Sequence, residues 1–273
     1  MRSVFPHLVL FLLTIASTLI VGGVIYSASL LSILLAHEMG HYLASRYHGV
    51  RATLPYFIPF PLPPFGTLGA VIRTKSPIPH RRALLDIGAA GPLSGLCVAI
   101  PAIVVGLLHS QVVDVSQLPK GTIQLGNPPL FAFIQRLTLG ELPSSKDVIL
   151  HPIAYAGWVG LFVTALNLLP AGQLDGGHIV YSLFGRYSRI IFRITILTAI
   201  LICLIYNFGW LLLVVLLLFI GYRHPPPVDD FTPLDGKRRL VGAITLAIFF
   251  LSFTPVPFPS WAMGLKDILW GAR

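Results

Sequence analysis

The residues best suited to chemistry form the sequence His37-Glu38-Met39-Gly40-His41, within a long apolar run. On a helix, positions i and i+4 share a face, so His37 and His41 can direct ring nitrogens at one metal ion. Glu38 lies one position further on, within reach of a water molecule on that metal without being a ligand. Two imidazole ligands and a carboxylate general base suit zinc-assisted hydrolysis.

The apolar surroundings argue against a chance match to this pattern. A charged side chain at mid-bilayer costs roughly 2.5–3.5 kcal/mol on insertion scales, so such residues are usually functional. Three polar side chains in one apolar run must also find partners there. The pattern therefore predicts a metal site.

A catalytic zinc site needs a third protein ligand, and Asp175 is the best candidate. It lies in the stretch 166–178, where Pro170 breaks the helix. Irregular backbone at membrane depth is tolerated only inside protein or around a wet cavity. Gly176 and Gly177 follow, and glycine lets two backbones approach closely. A loop-capping aspartate is the alternative interpretation.

The other histidines are weaker ligand candidates. His178 follows Asp175 by three positions and could orient that carboxylate, but we do not count it as a ligand. His48 could share a face with His41, but it falls at the basic end of the run, which favours a surface role. The remaining histidines lie at the ends of apolar runs or in loops, namely His7, His80, His109, His151 and His224.

The elements that must position these residues are membrane helices. Of the 273 residues, 55% are hydrophobic and only 11% are charged, which excludes an ordinary soluble domain and a disordered chain. Two cysteines in apolar runs exclude a disulfide scaffold. In so apolar a chain, the net charge of +9 indicates basic cytoplasmic loops rather than binding to nucleic acid.

About 20 apolar residues are needed to cross the bilayer as a helix. The sixth candidate span is short and the seventh ends in a proline-rich stretch, so we predict an all-α polytopic membrane protein with about 6–7 transmembrane helices. We expect the first run to be a retained span, because neither a signal peptide nor a transit peptide is apparent. The candidate spans are 4–26, 27–48, 84–109, 149–170, 189–206, 209–222 and 239–254.

Every second loop is basic, which sets the orientation. The segment 46–83 holds six arginines or lysines and no acid, whereas the charges of 110–148 cancel. The segments 186–193 and 223–239 are again basic. We therefore expect the N-terminus, His37, His41 and Asp175 to lie toward the cytoplasmic side.

The segment 53–75 is apolar but too rich in proline to be a spanning helix. Its second half combines glycines with small and β-branched residues, which favours a re-entrant β-hairpin over a proline-rich surface loop. The edge of such a hairpin could bind an extended substrate by strand addition. We predict that Gly66, Thr67, Leu68 and Gly69 bind substrate in this way.

Two motifs together resemble the site-2 protease family of intramembrane zinc metalloproteases. They are His37-Glu38-x-x-His41 and the later Asn167-x-x-Pro170-x4-Asp175-Gly176, and the segment Asp86–Gly95 is similar to the Gly-Pro segment of the family. The resemblance covers most of the chain. It implies that His37, His41 and Asp175 bind one Zn²⁺ per chain, with Glu38 as general base. It also implies that Asn167 helps to hold the developing oxyanion.

The resemblance further implies one membrane-embedded protease domain over 1–273. Its catalytic core spans about 27–185 and its C-terminal helices about 189–254. The loop 110–148 is too short for the PDZ domain that some branches carry, and nothing after residue 254 suggests a CBS domain. We therefore expect a minimal form of the protease.

The expected function is a zinc metalloendopeptidase that cleaves transmembrane segments of membrane-anchored proteins. The expected partners are such a protein substrate and the lipid bilayer, without nucleic acid, and the expected location is a bacterial cytoplasmic membrane. The alternative is a non-proteolytic metal-binding chaperone or transporter on the same fold. A pure binder has no need of Glu38, and a transporter would be expected to show internal repeats, which are not apparent.

Overall fold

The computed structural model describes residues 4–119, 121–220 and 224–261. Over these residues the chain forms long helices, two short β-hairpins and four single turns of 3-10 helix. The elements are α1 (Phe5–Tyr47), β1 (Tyr56–Pro59), β2 (Thr67–Val71), α2 (Arg81–Leu108), β3 (Gln111–Asp114), α3 (Pro129–Leu139), β4 (Lys146–Ile149), α4 (Pro152–Asn167), α5 (Asp175–Phe184), α6 (Ser188–Ile205), α7 (Leu211–Ile220) and α8 (Gly236–Ser252).

Each predicted span falls on a helix over its described residues, which confirms an all-α polytopic membrane protein. Residues 221 and 222 of the predicted span 209–222 lie outside the described residues. By length and composition, α1, α2 and the continuous stretch Asp175–Ile205 can cross a membrane, and α4 and the stretch Phe208–Phe219 are shorter apolar helices. The first two spans are the two halves of α1. They meet at Gly23, whose φ of 76° lies in the left-handed region, and not at Tyr26.

The core forms where α1, α2 and α4 pack together, around the fully buried Tyr26, Leu30, Ile33, Ile103 and Trp158. Small residues set the spacing between the helices. A Cβ on Gly106 of α2 would lie 2.1 Å from the backbone nitrogen of Ala154, and one on Gly157 would lie 2.5 Å from Ile103. Close packing through glycine is the usual solution among membrane helices.

The segment 53–75 forms the predicted hairpin. Strands β1 and β2 are antiparallel, with Tyr56 opposite Val71 and Phe57 opposite Ala70, and the register shifts before Pro59 pairs with Thr67. The hairpin lies along the N-terminal half of α1, where the rings of Phe11 and Phe57 are 4.9 Å apart.

The tip of the hairpin is held by hydrogen bonds from two helices. Tyr26 and Tyr155 donate from their hydroxyls to the carbonyls of Phe65 and Pro64, each over 2.9 Å. Ser17 donates to the carbonyl of Gly66 over 2.6 Å. The hairpin therefore lies among the helices and is not the proline-rich surface loop of the alternative interpretation.

The segment 110–148, which lies between the two motifs, contains a second hairpin that the sequence did not predict. Strands β3 and β4 pair in antiparallel register from Gln111 opposite Ile149 to Asp114 opposite Lys146. Helix α3 lies between these strands in the chain. Within the described residues no PDZ domain separates the motifs.

Candidate active site

Three side chains from two distant helices meet at one point. Nε2 of His37 and Nε2 of His41, both on α1, are 3.2 Å apart. Oδ2 of Asp175, the first residue of α5, lies 3.3 Å from the first and 3.2 Å from the second. Ligands about 2.0–2.1 Å from a tetrahedral zinc ion are about 3.3 Å from one another. The spacing of the three atoms therefore fits three ligands of one zinc ion.

Glycines on α2 make room for the two imidazoles. A Cβ on Gly91 would lie 2.1 Å from Nε2 of His41, and a Cβ on Gly95 would lie 3.2 Å from Nδ1 of His37. The sequence shows these glycines only as small residues suited to helix packing. In the structure they allow α2 to pass directly against the candidate ligands.

Hydrogen bonds outside the ligand set orient it. Nδ1 of His41 donates to the carbonyl of Ile87 on α2 over 2.8 Å, which leaves Nε2 free for a metal. The side-chain nitrogen of Asn167, the last residue of α4, lies 3.3 Å from Nε2 of His37. The residue expected at the oxyanion position is thus beside the candidate ligands.

A tight connection between α4 and α5 places Asp175. A Cβ on Gly176 would lie 2.0 Å from the carbonyl oxygen of Leu168, and one on Gly177 would lie 2.3 Å from that of Gly172. Only glycine permits this close folding of the backbone, as the sequence indicated. Asp175 does not lie within a loop, however, because it begins helix α5.

Glu38 lies at the edge of a cavity of about 330 Å³ and is only 4% exposed. Ile72, directly after strand β2, lines the same cavity. Asn167, Asp175 and His178 line the same cavity. A candidate base, candidate ligands and the end of a β-strand therefore share one chamber.

The structure places the predicted substrate-binding residues of the hairpin away from this cavity. Thr67 is buried and donates to the carbonyl of Ile58, and a Cβ on Gly66 would lie 2.9 Å from Cα of Thr18. Leu68 is 62% exposed. The hairpin residues that line the cavity are instead the following five, 70–74.

A known protein family matches the part of the chain that contains both motifs. Residues 25–206, about two thirds of the chain, match the model of Peptidase family M50. This chain belongs to peptidase family M50. The resemblance to the site-2 proteases, which are members of this family, is thereby confirmed.

Relatives of this M50 chain are named as zinc metalloproteases. It is 36% identical to a probable zinc metalloprotease EGY1, chloroplastic, of Arabidopsis thaliana, over 83% of this chain and 42% of that protein. The rice protein of the same name is 34% identical over 83% and 39%, and EGY2 of Arabidopsis is 31% identical over 81% and 40%. The chain thus spans about two fifths of the length of these curated relatives. No solved structure matches it.

The family and the three candidate ligand side chains point to the same metal. Two imidazoles and one carboxylate are a ligand set that zinc takes in catalytic sites. The M50 chain presents that set at the distances that zinc requires. The family and the names of its relatives indicate zinc as the metal, and this group of three side chains could hold it.

Two groups near the site were misjudged from the sequence. His224, expected in solvent or at an interface, is buried, and its Nε2 lies 2.5 Å from Nδ1 of His178. His48 pairs with Asp86 on α2 over 2.9 Å, and Arg238 of α8 binds the same carboxylate. No sequence pattern indicates such contacts, because the partners are 38 to 152 positions apart.

Proposed function

We propose that this M50 chain is a zinc metalloendopeptidase that cleaves transmembrane segments of membrane-anchored proteins. The observation that carries the proposal is the triangle formed by His37, His41 and Asp175, with Glu38 in the adjoining cavity. The names of the relatives, probable zinc metalloproteases, support the same activity. We place the catalytic core at about 27–185, because the candidate ligands and the residues that line the cavity all lie within that range.

In the proposed reaction Glu38 moves the proton. When bound, zinc acts as a Lewis acid that polarises a carbonyl and favours deprotonation of water. The Glu38 carboxylate takes a proton from the attacking water and delivers it to the departing amine. Its near-complete burial keeps it at one place in the cavity.

Asn167 is the proposed partner of the developing oxyanion. Once Nε2 of His37 binds the metal, it has no lone pair to accept a hydrogen bond. The amide of Asn167, 3.3 Å from that nitrogen, is then available to donate to an oxygen bound near the metal. A positioned donor of this kind acts where charge develops in the transition state.

The hairpin is the proposed docking edge for the substrate. A helical peptide hides its carbonyls in i to i−4 bonds, so it must become extended before it can be cut. The segment that continues β2 into 70–74 offers a backbone edge along the cavity for strand addition. That Gly66, Thr67, Leu68 and Gly69 bind substrate stays a prediction, since the cavity is lined by 70–74 instead.

The chain is an integral membrane protein, and we propose that its active site opens toward the side of the basic loops. The basic segments 46–83, 186–193 and 223–239 flank the ends of the helices that carry the site. In a bacterium this side is the cytoplasm. The relatives are named as chloroplastic, so they give no support to a bacterial membrane in particular.

The proposal is tested by Glu38→Gln in the purified, zinc-loaded protein with a transmembrane peptide as substrate. Loss of a general base costs about 10²- to 10⁴-fold in rate, and zinc content should be unchanged because Glu38 is not a ligand. Glu141→Gln is the matched control, since Glu141 is exposed and pairs with Arg136 outside the site. Full cleavage by Glu38→Gln would contradict the assigned role. A wild type that binds the peptide and never cuts it would favour the chaperone or transporter.

A further inference from the structure

We propose that His178 contacts the substrate, its Nε2 accepting a hydrogen bond from a backbone N–H of the bound peptide, and that His224 is the positioning residue that prepares it. The inference rests on the proposed function, because it describes how the same cavity holds its peptide. It assigns a role to two histidines that neither bind the metal nor supply the general base.

The hydrogen bonds of His224 fix its own protonation. Its Nδ1 lies 2.6 Å from the carbonyl oxygen of Pro225, and a carbonyl can only accept, so Nδ1 carries a proton. Burial lowers the pKa of His224 to about 4, so the ring is neutral near pH 7 and its Nε2 is an acceptor.

The same bonds fix the proton of His178. Its Nδ1 is 2.5 Å from Nε2 of His224, and because that nitrogen accepts, Nδ1 of His178 is the donor. The ring of Tyr181 stacks on His224 at 4.8 Å, and its hydroxyl donates to Asp230 over 3.0 Å, so His224 is itself held in place. A neutral His178 protonated at Nδ1 presents a lone pair at Nε2.

That lone pair is open to the cavity. His178 lines the cavity together with Glu38 and Asp175. Among the described residues, Nε2 of His178 has no hydrogen-bond partner, yet it is not among the fully buried polar atoms that lack one. A peptide bound in this cavity can supply the hydrogen-bond donor that Nε2 of His178 lacks.

The position of His178 suits the free edge of an added strand. In an antiparallel pair, the backbone N–H and C=O groups of successive residues point alternately toward the partner strand and away from it. A peptide paired with 70–74 would turn its outward groups toward the side of the cavity formed by α4 and α5. Asn167 there offers a donor for C=O, and His178 offers an acceptor for N–H.

The test removes one donor at a time from the peptide. A transmembrane peptide is made in versions that each carry one ester in place of a backbone amide, which deletes that N–H. Binding of the fluorescent peptides is measured in the zinc-loaded Glu38→Gln background, so the readout does not depend on cleavage. Esters that remove an N–H paired with 70–74 should weaken binding in every variant. We expect one further ester position, facing His178, to weaken binding about five- to tenfold, the range of one hydrogen bond.

The ester effect must depend on the two histidines. It should vanish in His178→Ala, diminish in His224→Ala and persist in His224→Gln, whose amide can still donate to Pro225 and accept from His178. His109→Ala is the matched control, because the imidazole of His109 bonds to the carbonyl of Val105, packs near the ring of His151 and does not line the cavity. An unchanged ester profile in His178→Ala would overturn the inference, and if that variant does not fold, an unchanged profile in His224→Ala would do so.

Parallel measurements separate this inference from the proposed function. Zinc content should equal that of the parent in every histidine variant. If the wild type does not cleave the all-amide peptide, the proposed function fails, while the ester profile still reports on the contact to His178. A purely structural role for the pair would weaken binding of all ester versions equally and would therefore also refute the contact.

Discussion

At the scale of single residues, the metal site depends on a glycine that leaves room for a ligand as much as on the ligands themselves. The i, i+4 spacing alone brings His37 and His41 onto one helix face, and this was predictable. The role of Gly91 could not be predicted from the sequence, because it depends on how α2 is rotated against α1. Only the assembled pair of helices shows that Nε2 of His41 occupies the space where a Cβ would be.

We therefore predict that Gly91→Ala reduces zinc affinity by about 5- to 150-fold, because an overpacked core site typically costs about 1–3 kcal/mol. Gly95→Ala should have a smaller effect, since its Cβ would approach His37 only to 3.2 Å. Zinc titration with a competing chelator measures both. Cys97→Ala is the control, as Cys97 is exposed on the same helix. Wild-type zinc affinity in Gly91→Ala would contradict the assigned packing.

At the scale of elements, the hairpin of β1 and β2 was predictable, but the residues of it that line the cavity were not. Prolines and glycines exclude a helix in 53–75 and favour a turn. Which residues reach the cavity depends on the depth of insertion, and this is set by contacts at the tip from Ser17, Tyr26 and Tyr155. Those contacts hold Gly66 against α1 and bring 70–74 to Glu38.

Two glycines of the hairpin allow a controlled test of that placement. Gly66 and Gly69 both have positive φ, at 78° and 94°, so alanine is strained at either position. A Cβ on Gly66 would also lie 2.9 Å from Thr18, whereas nothing lies within 4 Å of one on Gly69. We expect Gly66→Ala to lower the Tm and the kcat/KM for peptide clearly more than Gly69→Ala, with zinc retained. Equal effects of the two substitutions would contradict insertion against α1.

Helix α5 is an element that the sequence did not predict. Pro170 and three glycines between 172 and 177 are typical of a loop, and no predicted span covers Asp175. The backbone indeed folds tightly up to Leu174, but helix begins at the aspartate itself. The short amphipathic helix that follows is stabilised by packing on α2 and α8, which no local pattern reveals.

At the scale of the whole molecule, the helices divide into a core that holds the site and a surface suited to lipid. The core elements are α1, α2, α4 and α5, and Asp86 joins neighbouring ends of α1, α2 and α8 through His48 and Arg238. Helices α6 and α7 expose large apolar side chains, such as Leu212 at 78% and Phe219 at 85%. Such exposure is expected where lipid replaces water.

The spans and their order were predictable because the length of an apolar run is a strong signal. How the helices pack against one another was predictable only in outline. Matching depths brought Asp175 to the level of His37, but the contacts of His224 with α5 depend on how the chain after α7 returns to the bundle. Hydropathy carries no information about that return.

The central claim is that residues 134 positions or more apart in the chain build one zinc site, and metal content tests it most directly. Elemental analysis of the purified wild type should find about one zinc per chain, and both His41→Ala and Asp175→Ala should lose it. Asp147→Ala, at an exposed aspartate of β4, should keep it. Full zinc content in Asp175→Ala, with loss in His41→Ala, would contradict the two-helix site.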